Sequence, residues 1–256
     1  MQQAAGRLNW ATMIYNLMRP FLQPIFAWVA AMVQRQGRQP RGRVTAIPPQ
    51  RVRLVAATLL HLFSELPPAT DLPQNHTTTM AASDAGARPT VEGHEAMIGG
   101  WYGPPTDTQW DKHWFYIRLS PTQHPWAYEK GNPQLHIASM ELYGTLLLFR
   151  TMLGWPHETT SPSPRLDVSM QISLNTDNRG NSYQATNQKS KNNTAANMLM
   201  ELALLQHNRQ CRMHLQHVYR EHNQWADQLT HANTAGFNPM LEQTPDEALW
   251  YIMDQL

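Results

Sequence analysis

A chain of 256 residues and 29.3 kDa suits one sizeable domain, or a domain with a substantial appendage. Its composition is globular, with 41% hydrophobic residues, yet only 15% are charged, against about 25% in an ordinary soluble domain. Asn, Gln, Thr and His carry much of the polar surface chemistry. The single cysteine, Cys211, excludes an intramolecular disulfide framework and a multi-cysteine zinc or iron–sulfur site. Its best apolar run, Phe21 to Val33, is interrupted by Gln23 and Pro24 and falls short of the roughly 18 to 20 residues of a membrane helix. No membrane association is expected, nothing speaks for secretion, and an intracellular location, nuclear or cytoplasmic, is the expectation.

The net charge of +1 conceals an asymmetry. Arg7, Arg19, Arg35, Arg38, Arg41, Arg43, Arg51 and Arg53 all precede the first acid, Glu65, whereas the remainder holds 12 basic against 19 acidic side chains. A basic N-terminal portion is thus joined to an acidic C-terminal one, and two different tasks are implied.

From Gly6 to Val33 apolar residues recur at threes and fours, and Pro20 and Pro24 divide the stretch into two short helices. Gln34 to Gln50 reads as a mobile basic link, and Val52 to Leu66 as another helical patch. Such an arginine-rich, acid-free portion can be a solvated charge run, a phosphate-contacting arm or a mitochondrial transit segment. Pro67 to His76 has the composition of a linker. Beyond it Thr77 to Ala85, Glu95 to Tyr102 and Trp114 to Leu119 read as three strands of an antiparallel meander. Ile137 to Leu153 reads as a helix, and the alternation of Val168, Met170, Ile172 and Leu174 with polar residues as a strand. Asn193 to Asn208 is then an amphipathic helix, Arg212 to Val218 a short strand and Asn223 to Ala232 a closing helix. This order predicts an α/β domain, a mixed five-stranded sheet flanked by helices, with a basic helical N-terminal extension. The boundaries are 1–70 for the basic segment, 76–235 for the α/β domain and 236–256 for a tail helix.

Four acids stand where such a fold can gather them: Asp84 at the end of the first strand, Glu141 in the first turn of a helix, Asp177 after the fourth strand and Asp227 on the last helix. Acids at strand ends face the crevice beside neighbouring helices. Clustered carboxylates repel unless a cation neutralises them, and hard divalent cations prefer such oxygen ligands. Two of these ions roughly 4 Å apart suit in-line attack on a phosphodiester. Each acid alone is more often a turn former, a helix cap or a dipole partner; the ordered set is the specific signal. Cys211, His214 and His217 have ligand-like spacing, but an odd separation of three on a strand sends neighbours to opposite faces, so Cys211 reads as a core residue.

In that order, Asp84, Glu141, Asp177 and Asp227 resemble the carboxylates of type 1 ribonuclease H. The stretch His217-Val-Tyr-Arg-Glu-His-Asn223-Gln-Trp-Ala226-Asp227 is similar to the His-x-Pro-Gly-x-x-Asn-x-x-Ala-Asp signature of ribonuclease H domains in retrotransposon reverse transcriptases. Thr176-Asp177-Asn178 and the run from His136-Ile137 to Met140-Glu141-Leu142 are similar to segments of DIRS-type elements. Gly6-Arg-Leu-Asn-Trp and the run from Met18-Arg-Pro to Trp28 look like the segment joining polymerase to ribonuclease H there, although no Tyr-x-Asp-Asp polymerase motif is present. The chain therefore looks like the C-terminal piece of a reverse transcriptase or an open reading frame descended from one. Two departures stand out. Tyr219 and Arg220 replace the usual Pro and Gly, and Arg179 stands where many relatives have a glutamine that touches the hybrid.

What the resemblance implies is a ribonuclease H-like fold and endonucleolytic cleavage of the RNA strand of RNA–DNA hybrids. Asp84, Glu141, Asp177 and Asp227 would hold two Mg²⁺ ions, with Mn²⁺ as substitute, and His217 would shuttle a proton or help product leave. Arg179, Lys189, Lys191 and Asn223 are the candidate nucleic-acid contacts, and a polymerase domain is a candidate partner. The alternative is a catalytically inactive module of the same fold that binds nucleic acid or scaffolds a polymerase; a DNA-cutting transposase or resolvase is a further rival.

Overall fold

The computed structural model describes residues 2–38, 46–65, 75–91, 93–154 and 170–247. It divides into two compact units. One joins the N-terminal helices to Asn187–Leu204, and the other comprises Pro73–Thr186 and the chain from Leu205 to Leu249.

The second unit is built on a mixed sheet. Strands β2 (Met80–Thr90), β3 (Gly93–Gly103) and β4 (His113–Leu119) form the expected antiparallel meander, β2 opposing β3 from Met80↔Gly103 to Thr90↔Gly93. Strand β5 (Met170–Thr176) lies parallel to β2 through Ala82↔Asn175, and β6 (Cys211–His217) lies parallel to β5 over its whole length. A two-residue strand, β1 (Asn75–His76), also pairs with Met170 and Gln171 of β5. Because β6 occupies one side of those two residues, β1 lies on the side that β2 takes further along. The five main strands therefore run β4-β3-β2-β5-β6, the mixed five-stranded sheet with flanking helices that the resemblance implies.

Strand β5 keeps the alternation read from its sequence, with Ile172 and Leu174 buried between half-buried Gln171 and Ser173. Strand β2 extends to Thr90, beyond the expected end at Ala85, and buries five successive residues from Ala81 to Ala85 because helices cover both faces. Helix α4 (Ile137–Met152) covers one face; a methyl group on its Gly144 would stand 2.9 Å from Ile98 Cγ2 and 3.5 Å from Ser83 Cβ. Helix α7 (Gln224–Thr230) covers the other through a cluster of Ala82, Trp101, Trp114, Ala226, Leu229 and Phe237. Its backbone lies so close to β3 that a methyl group on Gly99 would meet Leu229 Cβ at 2.5 Å and the Ala226 carbonyl oxygen at 2.8 Å.

One helix was absent from the sequence reading. Helix α5 (Arg179–Asn187) buries only Asn181 and Ala185, so no apolar period marks it. Residues 236–247 contain a single 3₁₀ turn, Pro239–Leu241, and no α-helix; the rest of the expected tail helix lies outside the described residues.

The first unit contains α1 (Gln2–Ile14), a 3₁₀ turn (Asn16–Phe21), α2 (Leu22–Arg38), α3 (Gln50–Glu65) and the first part of α6 (Asn193–Asn208). Pro20 falls in the 3₁₀ break as anticipated, whereas Pro24 lies in the first turn of α2, where its missing N–H costs nothing. Helix α2 runs to Arg38, so the link begins later than Gln34, and the part from Gln39 to Thr45 lies outside the described residues. Met18, Phe21, Leu22, Val55, Leu59 and Leu62 form one core with Met200 and Ala203 of α6. Arg19 donates to the Asn187 carbonyl oxygen at 3.2 Å, and Arg51 to the Asn197 side chain. Part of the apolar surface of the basic segment is thus covered from within the chain, while Trp10, Met13, Phe26, Val33 and Leu60 stay exposed. Among the described residues no helix is long and apolar enough to cross a membrane.

Candidate active site

The β2–β5 register brings Asp84 and Asp177 side by side. Ala82 opposes Asn175 in a parallel pair, and Asp84 and Asp177 each follow two residues later. Asp177 sits just past the end of β5, where Asn178 N–H donates to Thr176 Oγ1 at 3.2 Å and begins the turn into α5. Asp84 lies within β2 rather than at its end, since the strand continues to Thr90. Glu141, the fifth residue of α4, projects from its second turn and not from the first as expected. Ligand oxygens of Asp84, Glu141 and Asp177 all fall within 4.8 Å of one another. Asp227, in the first turn of α7, lines the same open cleft of about 350 Å³.

Burial and like charge raise two of these acids. Asp84 is only 5% exposed, and Ala85 N–H donates to its Oδ1 at 2.8 Å. Burial first, then the charges of Asp177, Glu141 and Asp227, push its carboxyl up to about 8, against the lowering effect of that hydrogen bond. Glu141 is raised to about 7, again by burial first and then by Asp177, while a hydrogen bond from Asn178 and the charge of Arg220 pull it down. Asn181, 1% exposed on α5, donates through Nδ2 to Glu141 Oε2 at 3.3 Å and to the Ala138 carbonyl oxygen at 2.9 Å. It therefore fixes the Glu141 rotamer. Arg220 Nη2 donates to Asp227 Oδ1 at 3.1 Å.

The other residues singled out from sequence are dispersed. His217 ends β6 opposite Thr176, with its ring edge-on to Tyr219 at 5.9 Å, and is not among the residues lining the cleft. Arg179 is the exposed first residue of α5; Lys189 and Lys191 are exposed between α5 and α6. Asn223 is 1% exposed, and its Nδ2 donates to the Ser83 carbonyl oxygen at 3.4 Å, tying the start of α7 to β2 beside Asp84. That burial assigns Asn223 to anchoring here, in place of the surface contact read from the sequence. Sequence reasoning missed Asn181 and the Arg220–Asp227 contact. The Thr-Asp-Asn motif marks the neighbourhood of Asn181, and nothing local in the sequence marks the partner of Arg220.

The sequence matches no protein-family model, and a search of curated proteins finds no match. Among solved structures it is similar to ribonuclease H1 from the halophilic archaeon Halobacterium salinarum, at 14% identity and a TM-score of 0.39, over 62% of this chain and 97% of that one. The LC11 ribonuclease H1, solved in complex with an RNA/DNA hybrid, aligns at 16% identity and a TM-score of 0.40, over 60% and 94%. The prototype foamy virus protease–reverse transcriptase aligns at 12% identity and a TM-score of 0.39, over 78% of this chain and 29% of that one.

Proposed function

We propose that the chain is a metal-dependent endonuclease that hydrolyses the RNA strand of RNA–DNA hybrids, as part of or derived from a retroelement reverse transcriptase of DIRS-like type. The observation that carries this reading is the convergence of Asp84, Glu141 and Asp177 within 4.8 Å, with Asp227 on the same cleft. Its second support is the ordered resemblance of these acids and of the His217–Asp227 stretch to type 1 ribonuclease H.

The residues present fit a divalent metal. The donor set is all oxygen, and the buried Asp84 carboxyl, raised to about 8, is mostly protonated at neutral pH unless a cation lies beside it. Bound there, two Mg²⁺ ions, or Mn²⁺ in their place, would supply Lewis-acid activation of water and neutralise charge developing on the phosphate. Asp84, Glu141, Asp177 and Asp227 would hold these ions. Asn181 keeps Glu141 turned into the cleft, and Asn223 keeps α7, and with it Asp227, against β2. A ring nitrogen of His217 exchanges a proton with the leaving oxygen or assists product release. The products are 3′-hydroxyl and 5′-phosphate ends. Exposed Arg179, Lys189 and Lys191 meet phosphates; selectivity for the hybrid comes from 2′-hydroxyls on one strand and phosphates on the other. A polymerase domain is the proposed partner, and the proposed location is intracellular, nuclear or cytoplasmic.

The test is Mg²⁺-dependent degradation of a labelled RNA–DNA hybrid, beside duplex DNA and duplex RNA. Cleavage confined to the RNA of the hybrid is expected, with Asp177→Asn inactive but still binding hybrid. Parental rates from Asp177→Asn would refute the assignment.

A further inference from the structure

Arg220 replaces a glycine of the resembled signature, and it lines the cleft that holds the four acids. It begins the 3₁₀ turn Arg220–His222, which follows β6 and leads through Asn223 into α7. Its side chain is 78% exposed, and Asp227 Oδ1 is its only hydrogen-bond partner among the described residues. A guanidinium has five N–H donors, so most of its capacity is unused in this pose. A single-contact ion pair at that exposure is weakly held and exchanges readily. The other arginine on the cleft wall is committed elsewhere: Arg88 Nε donates to Glu95 Oε2 at 2.7 Å, and Glu95 also pairs with Arg118.

The position of Arg220 creates a competition. In the free protein its positive charge partly neutralises the carboxylates and occupies an oxygen of Asp227 that a divalent cation would use. Cations entering the cluster repel the guanidinium and take that oxygen. The planar fork that leaves matches the geometry of a phosphate and stays charged at any working pH.

We propose that Arg220 is a substrate-phosphate ligand that exchanges partners, holding Asp227 in the free protein and turning to a phosphate of the bound strand once divalent cations occupy the acids. The proposal rests on the nuclease reading above and adds to it a phosphate contact placed by this chain's own departure from the signature.

The test uses the full chain, its Arg220→Gln and Arg220→Lys variants, Ca²⁺ as the cation and a labelled RNA–DNA hybrid. In the absence of hybrid, calorimetry should show Arg220→Gln binding Ca²⁺ about threefold more tightly, because a competing charge is gone. With Ca²⁺ present, fluorescence anisotropy should show Arg220→Gln binding hybrid about tenfold more weakly, the loss of one charge-assisted contact. In EDTA, where the guanidinium stays on Asp227, the two proteins should bind hybrid alike. Arg220→Lys should fall between them with Ca²⁺, since an ammonium keeps the charge but not the fork. Opposite shifts in cation and hybrid affinity are what a merely structural role would not produce. Unchanged values for both, or a weakening of both, would overturn the proposal. A parental protein that neither cuts nor binds hybrid overturns the nuclease reading as well, whereas one that cuts with Mg²⁺ beside an indifferent Arg220→Gln overturns only the role of Arg220.

Discussion

Replacing Asp84 by Asn should stabilise the metal-free protein while abolishing cleavage. In the unfolded chain an Asp ionises near 3.8, whereas burial and its acidic neighbours lift Asp84 to about 8. Between those two values the folded state holds a proton that the unfolded state has lost, so stability falls as pH rises through the interval. Below the lower value the effect vanishes. At 1.4 kcal/mol per unit, the cost to the native state at pH 7 reaches at most about 4 kcal/mol. An Asn is isosteric with the protonated acid and keeps an oxygen for the Ala85 N–H, so it escapes the cost. Urea denaturation of both proteins should give equal stability near pH 4 and a gap of a few kcal/mol in favour of Asp84→Asn at pH 8, all in EDTA. Saturating Mg²⁺ should close the gap by stabilising the parent alone. If the parent were as stable as the variant at pH 8 in EDTA, or if Mg²⁺ stabilised both equally, the electrostatic account of Asp84 would be refuted.

Other perturbations address the supports of the cluster. Gly99→Ala forces a methyl group into Leu229 and the Ala226 carbonyl, so α7 must move off the sheet; a loss of about 1 to 3 kcal/mol by urea denaturation is expected, with a higher Mg²⁺ requirement because Asp227 moves too. His217→Ala should slow single-turnover cleavage by roughly 10² to 10⁴ without abolishing it, and a variant at the parental rate would remove His217 from the mechanism. Deleting residues 1–66 exposes Met200 and Ala203 of α6, which the basic segment now buries, so the melting temperature should drop measurably. A truncated protein that melts with the parent would show that this core contributes nothing to stability.

Where periodicity was local, the sequence could be read. The alternation in β5 arises from one face meeting a core, and α4 and α6 stand where they were expected, although both are buried on nearly every side, without a break from Leu142 to Arg150 and from Ala195 to Ala203. Each of the four acids lies on or beside the element expected to carry it, although Asp84 falls inside β2 and Glu141 in the second turn of α4. Features set by contacts distant in sequence left no such trace. Helix α5 is polar because it buries only Asn181 and Ala185, so its pattern resembles a loop. The far half of β2, from Gly86 to Thr90, is poor in the β-branched and aromatic residues that mark strands, and pairing with β3 extends it regardless. That α6 covers the basic helices is a matter of side chains some 140 positions apart, such as Leu62 and Met200, about which a window of sequence is silent.

The convergence of the acids depends on backbone placement more than on the acids themselves. Asp84 and Asp177 are neighbours because Ala82 pairs with Asn175 in parallel strands and each acid lies two residues further on, Asp177 just past the end of β5. A slip of β5 by one residue would move Asp177 along the strand by about 3.3 Å and turn its neighbours Ile172 and Leu174 out of the core, so burying those two side chains also fixes the spacing of the acids. Glu141 reaches the same point because Gly144, one turn further along α4, lets the helix approach Ile98 and Ser83 more closely than any side chain would allow. Asp227 comes to the same cleft on α7, which Gly99 lets approach β3 and whose start Asn223 fastens to the Ser83 carbonyl. Burial first, and then the charge of neighbouring carboxylates, raises Asp84 and Glu141, and a scaffold fixed by apolar packing and hydrogen bonds elsewhere holds them in place against that cost. The fold thus holds Asp84, Glu141 and Asp177 together as a grouping able to take a metal ion.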